Sequence, residues 1–175
     1  MSANELLLLG LLEQQEMHGY RLHELLEHQL QFVTDLKRPT AYRLLEQMYR
    51  QGLVEREAER SGRRPERMVY HLTPAGRERF ERLLRDQLAS AERMYHAGNI
   101  ALLFLDRIPV AERVELLKRR LRGVEEQRAV LASIVQAHSK GSSVRMALEH
   151  DLTHLDSEIA WLAKTIEQLK ENVSP

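Results

Sequence analysis

Cysteine is absent from this 175-residue chain, which excludes disulfides, thiol catalysis and cysteine-based redox sensing. Aromatic residues make up only 5% while charged residues make up 30%, a balance that indicates a soluble, α-rich protein. An excess of charge of either sign is missing too: the formal net charge is zero, so no attraction to a polyanion follows from the chain total. The longest apolar stretch, Leu6 to Leu12, is shorter than a membrane span, has no basic region before it and is followed by acidic residues. Neither a signal peptide nor a membrane anchor is expected, and residence is expected to be cytoplasmic. Glycine falls mainly at turns, without a Gly-rich phosphate loop, a nucleophile elbow or a convergent carboxylate pair, so an enzyme is not expected and no cofactor is implied. His18, His23 and His28 are five residues apart, which turns them to different helix faces. His150 and His154 have the i, i+4 spacing of a chelating pair, but the glutamate of a His-Glu-x-x-His site and a third ligand are lacking, and the expectation is no metal site. No internal repeat or low-complexity segment is visible, and Asn172 to Pro175 reads as a frayed end.

What is present is most informative between residues 39 and 76. Ala41, Leu44, Leu45 and Met48 fall at i, i+3, i+4 and i+7, which predicts an amphipathic helix with Arg43, Glu46 and Arg50 on its opposite side. Pro39 suits a first turn and Gly52 suits the position just past the end. Leu53 to Glu57 alternates apolar and polar residues, and Met68 to Leu72 is a second short strand. Between them, Glu59 to Arg67 holds Arg60, Arg63, Arg64 and Arg67 around Ser61-Gly62, a hairpin tip whose guanidinium groups gain nothing from burial. Upstream, Ser2 to Gln14 reads as a helix opened by a Ser-x-x-Glu box, Ser2 with Glu5. Gly19 to Leu30 reads as the next helix, with Tyr20, Leu22, Leu25, Leu26 and Leu30 inward. The order helix, helix, helix, strand, strand, helix is that of a winged helix-turn-helix.

Charge is distributed to match. Residues 1–36 carry one cation against six anions, whereas residues 37–79 carry eleven cations against six anions. Neutralising phosphates depends on such local cations rather than on the total.

Three stretches in this region resemble the PadR family of transcriptional regulators. LLLLGLLEQQEMHGYRLHELL is similar to the family's first helix and His-Gly-Tyr turn, AYRLLEQMYRQGLVE to its recognition segment, and VYHLTPAGRERF to its strand-to-helix signature. All three occur in order between residues 6 and 80; the remainder is similar to the longer-tailed members only in length and helicity. Where the family commonly has small residues and Leu before the recognition tyrosine and Pro after it, this chain has Arg38-Pro39-Thr40-Ala41 before Tyr42 and Arg43 after it. The operator sequence therefore does not carry over. The resemblance implies a dimeric regulator of double-stranded DNA, a repressor acting on an inverted repeat. The competing expectation is a protein-interaction module on a winged-helix scaffold without DNA readout.

Within the winged-helix reading, Thr40, Tyr42, Arg43 and Gln47 occupy the exposed N-terminal half of the recognition helix. Arg43 and Gln47 are the base-reading candidates, because guanidinium pairs with guanine and carboxamide with adenine. Lys37, Arg38, Arg63 and Arg64 are candidates for phosphate or minor-groove contacts. Tyr42 either joins them or packs against the neighbouring helix.

The second half predicts long helices. Thr73 caps one that is expected to run toward Leu105 through Phe80, Leu83, Leu84, Leu88, Ala91, Met94 and Tyr95. Pro109 opens another, with Val110, Val114, Leu117, Leu121, Val124, Leu131 and Val135 along one seam. After a turn at Ser139 to Ser142, a last helix from Ser143 to Glu171 places Leu148, Leu152, Leu155, Ile159, Leu162, Ile166 and Leu169 at alternating spacings of four and three, a heptad seam. These seven residues are the expected dimerisation surface. Trp161, the only tryptophan, falls off that seam at heptad position c, with His154 seven residues earlier on the same stripe. It is either a second packing contact or, since some PadR relatives bind flat aromatic effectors between subunits, part of an effector cavity. The expected architecture is mainly α: a winged helix-turn-helix domain at 1–80 and a long-helix dimerisation arm, possibly effector-responsive as the resemblance has it, at 81–175.

Overall fold

A computed structural model of the chain describes residues 2–30, 34–59, 67–91, 96 and 98–171. They fall into two compact units, 1–92 and 93–175, the division lying beyond the expected one at 80/81.

The first unit begins with α1 (Ser2–Gln14), the leucine-rich helix, whose Leu8, Leu9 and Leu12 are all buried. Next comes β1 (Met17–His18), then α2 (Gly19–Glu24). The helix expected to run to Leu30 does not keep one geometry: from Leu25 to Gln29 it widens into a π turn closed by Leu30 N–H donating to the Leu25 carbonyl at 2.9 Å. Leu22, Leu25 and Leu26 all reach the core across this change, so the wider turn keeps successive leucines inward. α3 (Arg38–Arg50) follows, with Ala41, Leu44, Leu45 and Met48 buried, the four residues its period predicts.

α3 stops by a local mechanism. Gly52, at φ +70°, adopts the left-handed backbone that disfavours a side chain. Its N–H donates to the Tyr49 carbonyl at 3.0 Å and the Leu53 N–H to the Met48 carbonyl at 2.9 Å. These two bonds form a Schellman cap. The chain then enters β2 (Val54–Glu59) and returns as β3 (Arg67–Leu72), antiparallel and in the register Val54 with Leu72 through Glu59 with Arg67.

The sheet has a third member that sequence pattern did not predict. β1 pairs with the other edge of β3, Met17 with Tyr70 and His18 with Val69, giving the order β1-β3-β2. α4 (Pro74–Ala89) closes the unit against α1. Thr73 caps it, its Oγ1 accepting from Gly76 N–H at 3.0 Å, and the same hydroxyl lies 2.7 Å from the Gly52 carbonyl and 3.0 Å from that of Leu53. One residue thus ties the start of α4 to the end of α3. Arg79 reaches back from α4 to α1, where Nε and Nη2 donate to the Glu5 carboxylate, raising the guanidinium's pKa first through that hydrogen bond.

The long helix expected from Thr73 toward Leu105 ends at Ala89, because Ser90 is extended at φ −75°, ψ 136°. Its inner face runs out first: Leu83 is buried, whereas Leu84 and Leu88 are 38% and 80% exposed. Helix length in a folded chain follows packing more than propensity. Met94 and Tyr95 lie outside the described residues.

The second unit contains α5 (Gly98–Leu102), a 3₁₀ turn at Leu105–Arg107, α6 (Val110–Ala137) and α7 (Ser143–Glu171). α6 and α7 form a helical hairpin around Gly141, at φ +81°. Ser142 Oγ accepts from Arg145 N–H at 3.2 Å, capping α7, while Arg145 Nη1 donates to the His138 carbonyl at 3.1 Å near the end of α6. The heptad seam is where the sequence places it, but its partner lies in the same chain. Val114 and Leu117 pack with Leu162 and Ile166, flanked by Leu121, Val124 and Leu169. Leu131 and Val135 pack with Leu148, flanked by Leu152 and Leu155. Leu162, 0% exposed within one chain, has no surface to offer a second one. Of Leu148, Leu152, Leu155, Ile159, Leu162, Ile166 and Leu169, expected at a subunit contact, six pack against α6 in this hairpin, and Ile159 is half-buried.

Candidate nucleic-acid interface

α3 is an amphipathic helix whose apolar side is fixed in the core, so its other side is determined. Lys37, the residue before the helix, Arg38 in its first turn and Arg43 one turn on are all exposed. Thr40 and Gln47 are half-buried. Tyr42 is half-buried as well and packs on the apolar core of the unit. Its ring also supports Arg38, whose guanidinium carbon lies 5.5 Å from the ring centroid, within cation–π range.

The cations of this region divide into two groups. Arg50, on the last turn of α3, donates to Glu46 at 3.1 Å. Arg56, on β2, donates to the other oxygen of Glu46 and stacks over Tyr49 at 4.2 Å from the ring centroid. Arg77 pairs with Glu13 and Arg79 with Glu5. Among the described residues, no carboxylate pairs with Lys37, Arg38 or Arg43. Glu46 therefore neutralises the C-terminal end of the helix, and the positive charge without a carboxylate partner among the described residues lies at its N-terminal half. The helix dipole adds to the positive potential there. Such a surface can displace counterions from a polyanion without first breaking an ion pair.

Sequence reasoning missed the role of Glu46 and Arg56. The Glu46–Arg50 pair was legible as an i, i+4 spacing, but Arg56 comes from a strand and meets Glu46 only after the chain turns at Gly52. The wing candidates Arg63 and Arg64, with Arg60, lie outside the described residues, and the flanking strands alone are on view. Behind the surface, Tyr70 on β3 is buried, and burial raises its phenol pKa against a smaller lowering by Arg56. Trp161, in the second unit, is 40% exposed on α7. Among the described residues no group of three or more His, Asp or Glu converges as a metal site, and no helix is long and apolar enough to cross a membrane.

No curated protein matches this sequence. Residues 8–82 match the transcriptional regulator PadR-like family. Among solved structures, the fold is similar to that of Bacillus subtilis PadR in complex with operator DNA, with a TM-score of 0.80 at 18% identity over 94% of this chain and 98% of that one. It is similar to the PadR-like transcriptional regulator BC1756 from Bacillus cereus, with a TM-score of 0.72 at 20% identity over 97% and 99% of the two chains. Bacillus subtilis PadR in complex with p-coumaric acid gives 0.76 at 17% identity over 95% and 94%.

Proposed function

Because residues 8–82 belong to the transcriptional regulator PadR-like family, we propose that this chain is a dimeric, sequence-specific DNA-binding regulator that represses from an inverted-repeat operator. The observation that carries the reading is the charge division on α3: Lys37, Arg38 and Arg43 are exposed and, among the described residues, without a carboxylate partner, in the N-terminal half of the helix that a winged domain offers to the major groove. Arg43 and Gln47 read base edges. Thr40 lies alongside them, and Tyr42 holds Arg38 from behind. Lys37 and Arg38, with Arg63 and Arg64 of the wing, contact phosphates or the minor groove.

The apolar surface left outside the hairpin core supports dimerisation. With the seam used inside the chain, Ile100, Leu103 and Phe104 remain 65%, 79% and 62% exposed. A second copy covering them would remove that apolar surface from water, and a two-fold pair of α3 helices would address half-sites about 34 Å apart. The p-coumaric acid complex of the Bacillus subtilis protein supports a small aromatic effector here also, with Trp161 as the residue to test for contact.

The test is quantitative binding to the promoter DNA upstream of the protein's own coding region. Arg43→Ala is expected to weaken binding by about 1–3 kcal/mol and relax discrimination at one base position. Arg38→Ala is expected to weaken all sequences alike and lower the salt slope by about one. Full affinity in both variants would overturn the assignment of this surface.

A further inference from the structure

We propose that His150 and His154 form a two-imidazole chelate for a borderline divalent transition-metal ion, Zn2+, Ni2+ or Cu2+, on the exposed flank of α7. The proposal is independent of the DNA-binding reading. It concerns the histidine pair that spacing alone left without a role.

One turn of α7 separates the two residues, and both are exposed. Their rings stand edge to face, with centroids 4.5 Å apart and planes at 82°. The two Nε2 atoms face each other at 3.3 Å. Two nitrogens bound at about 2.0–2.1 Å to one tetrahedral ion stand about 3.3–3.4 Å apart, so the observed separation needs no backbone movement to become a bite.

The unliganded pair is in hydrogen-bond contact through the two Nε2 atoms. The Asp151 carboxylate lies 3.9 Å from His150 Nδ1.

The surrounding carboxylates fix the class of ion. Glu149 is taken by Arg145, Asp156 by Arg128 and Glu158 by Arg120; Asp151 alone beside the pair is not the set of six to eight oxygens that Ca2+ requires, nor the octahedral shell of Mg2+. Imidazole nitrogen suits Zn2+, Ni2+ and Cu2+, with Cu2+ the tightest. Water fills the remaining positions, which makes this a reversible site rather than a structural one.

Trp161 provides the readout. It is the only tryptophan in the chain and lies two helical turns beyond His154, about 10 Å along the axis, close enough for bound Cu2+ to quench its fluorescence. Titrating the untagged full-length protein with CuCl2 is expected to give saturable quenching at one equivalent, relieved by excess ZnCl2. His150→Ala and His154→Ala are each expected to weaken it at least about tenfold, the scale at which even outer-shell partners act, with the far-UV circular dichroism unchanged. Asp151→Asn is expected to weaken it less. His138→Ala, at the end of α6, is expected to behave as the wild type. Quenching that is absent, or that is the same in both histidine variants as in the wild type, would overturn the proposal.

Discussion

Gly76 shows how a single residue type can be forced by its surroundings. A Cβ there would overlap the Leu53 carbonyl oxygen and press on Leu72, since the start of α4 rests directly on the backbone leaving α3. Thr73 holds the same junction with its hydroxyl. The Thr-Pro-Ala-Gly run thus has a physical basis: a cap, a pre-set first turn and a close approach. Gly76→Ala is expected to cost about 1–3 kcal/mol or more, and Thr73→Ala about 1 kcal/mol, both measured by urea unfolding. Tyr70 makes a pH prediction. Burial raises its pKa above 10.0, so the fold favours the neutral phenol over the phenolate. Its contribution is complete below the unfolded value and is lost as pH rises through the folded one. Alkaline unfolding above about pH 10 is expected to be less steep in Tyr70→Phe, followed by circular dichroism across the pH range.

At the scale of elements, two helices illustrate opposite uses of an apolar stripe. On α3 the stripe is four residues wide and wholly inside the first unit, leaving the other side for an external partner. On α7 the stripe is longer, and α6 covers it. Arg120–Glu158 and Arg128–Asp156 bridge the two helices outside that seam. Leu162 is the most deeply buried residue of the hairpin, and truncating it leaves a cavity between α6 and α7. Leu162→Ala is expected to destabilise the second unit by about 2–5 kcal/mol, seen as an earlier denaturant transition with no loss of fluorescence response at Trp161, which lies outside the seam.

For the whole molecule, the proposal of a dimer makes the oligomeric state the decisive measurement. Sedimentation equilibrium at micromolar concentration is expected to return twice the 20.4 kDa chain mass. Replacing Leu103 and Phe104 together by glutamate is expected to shift the equilibrium toward monomer without unfolding the chain, because both are largely exposed within one copy. A monomeric wild type, with and without DNA, would remove the two-fold operator geometry and with it the reason for an inverted repeat. Footprinting would then show a single protected half-site.

Local chemistry carried much of this protein in the sequence alone. α1 covers its expected residues, but Glu5, expected in a capping box with Ser2, pairs with Arg79. α7 spans the residues that heptad spacing assigns to it, and α3 ends where Gly52 permits a left-handed turn. Each such signal lies within a few residues of its effect. Tertiary structure decided the remainder. β1 is two residues long and is a strand only because β3 lies beside it. α4 stops where its buried face stops. The heptad seam could have served a partner chain or the same chain, and α6 took it. Arg56, on β2, could have stayed free, and it pairs with Glu46 of α3. In each case the deciding atoms are distant in sequence, so no local periodicity can report which contact wins.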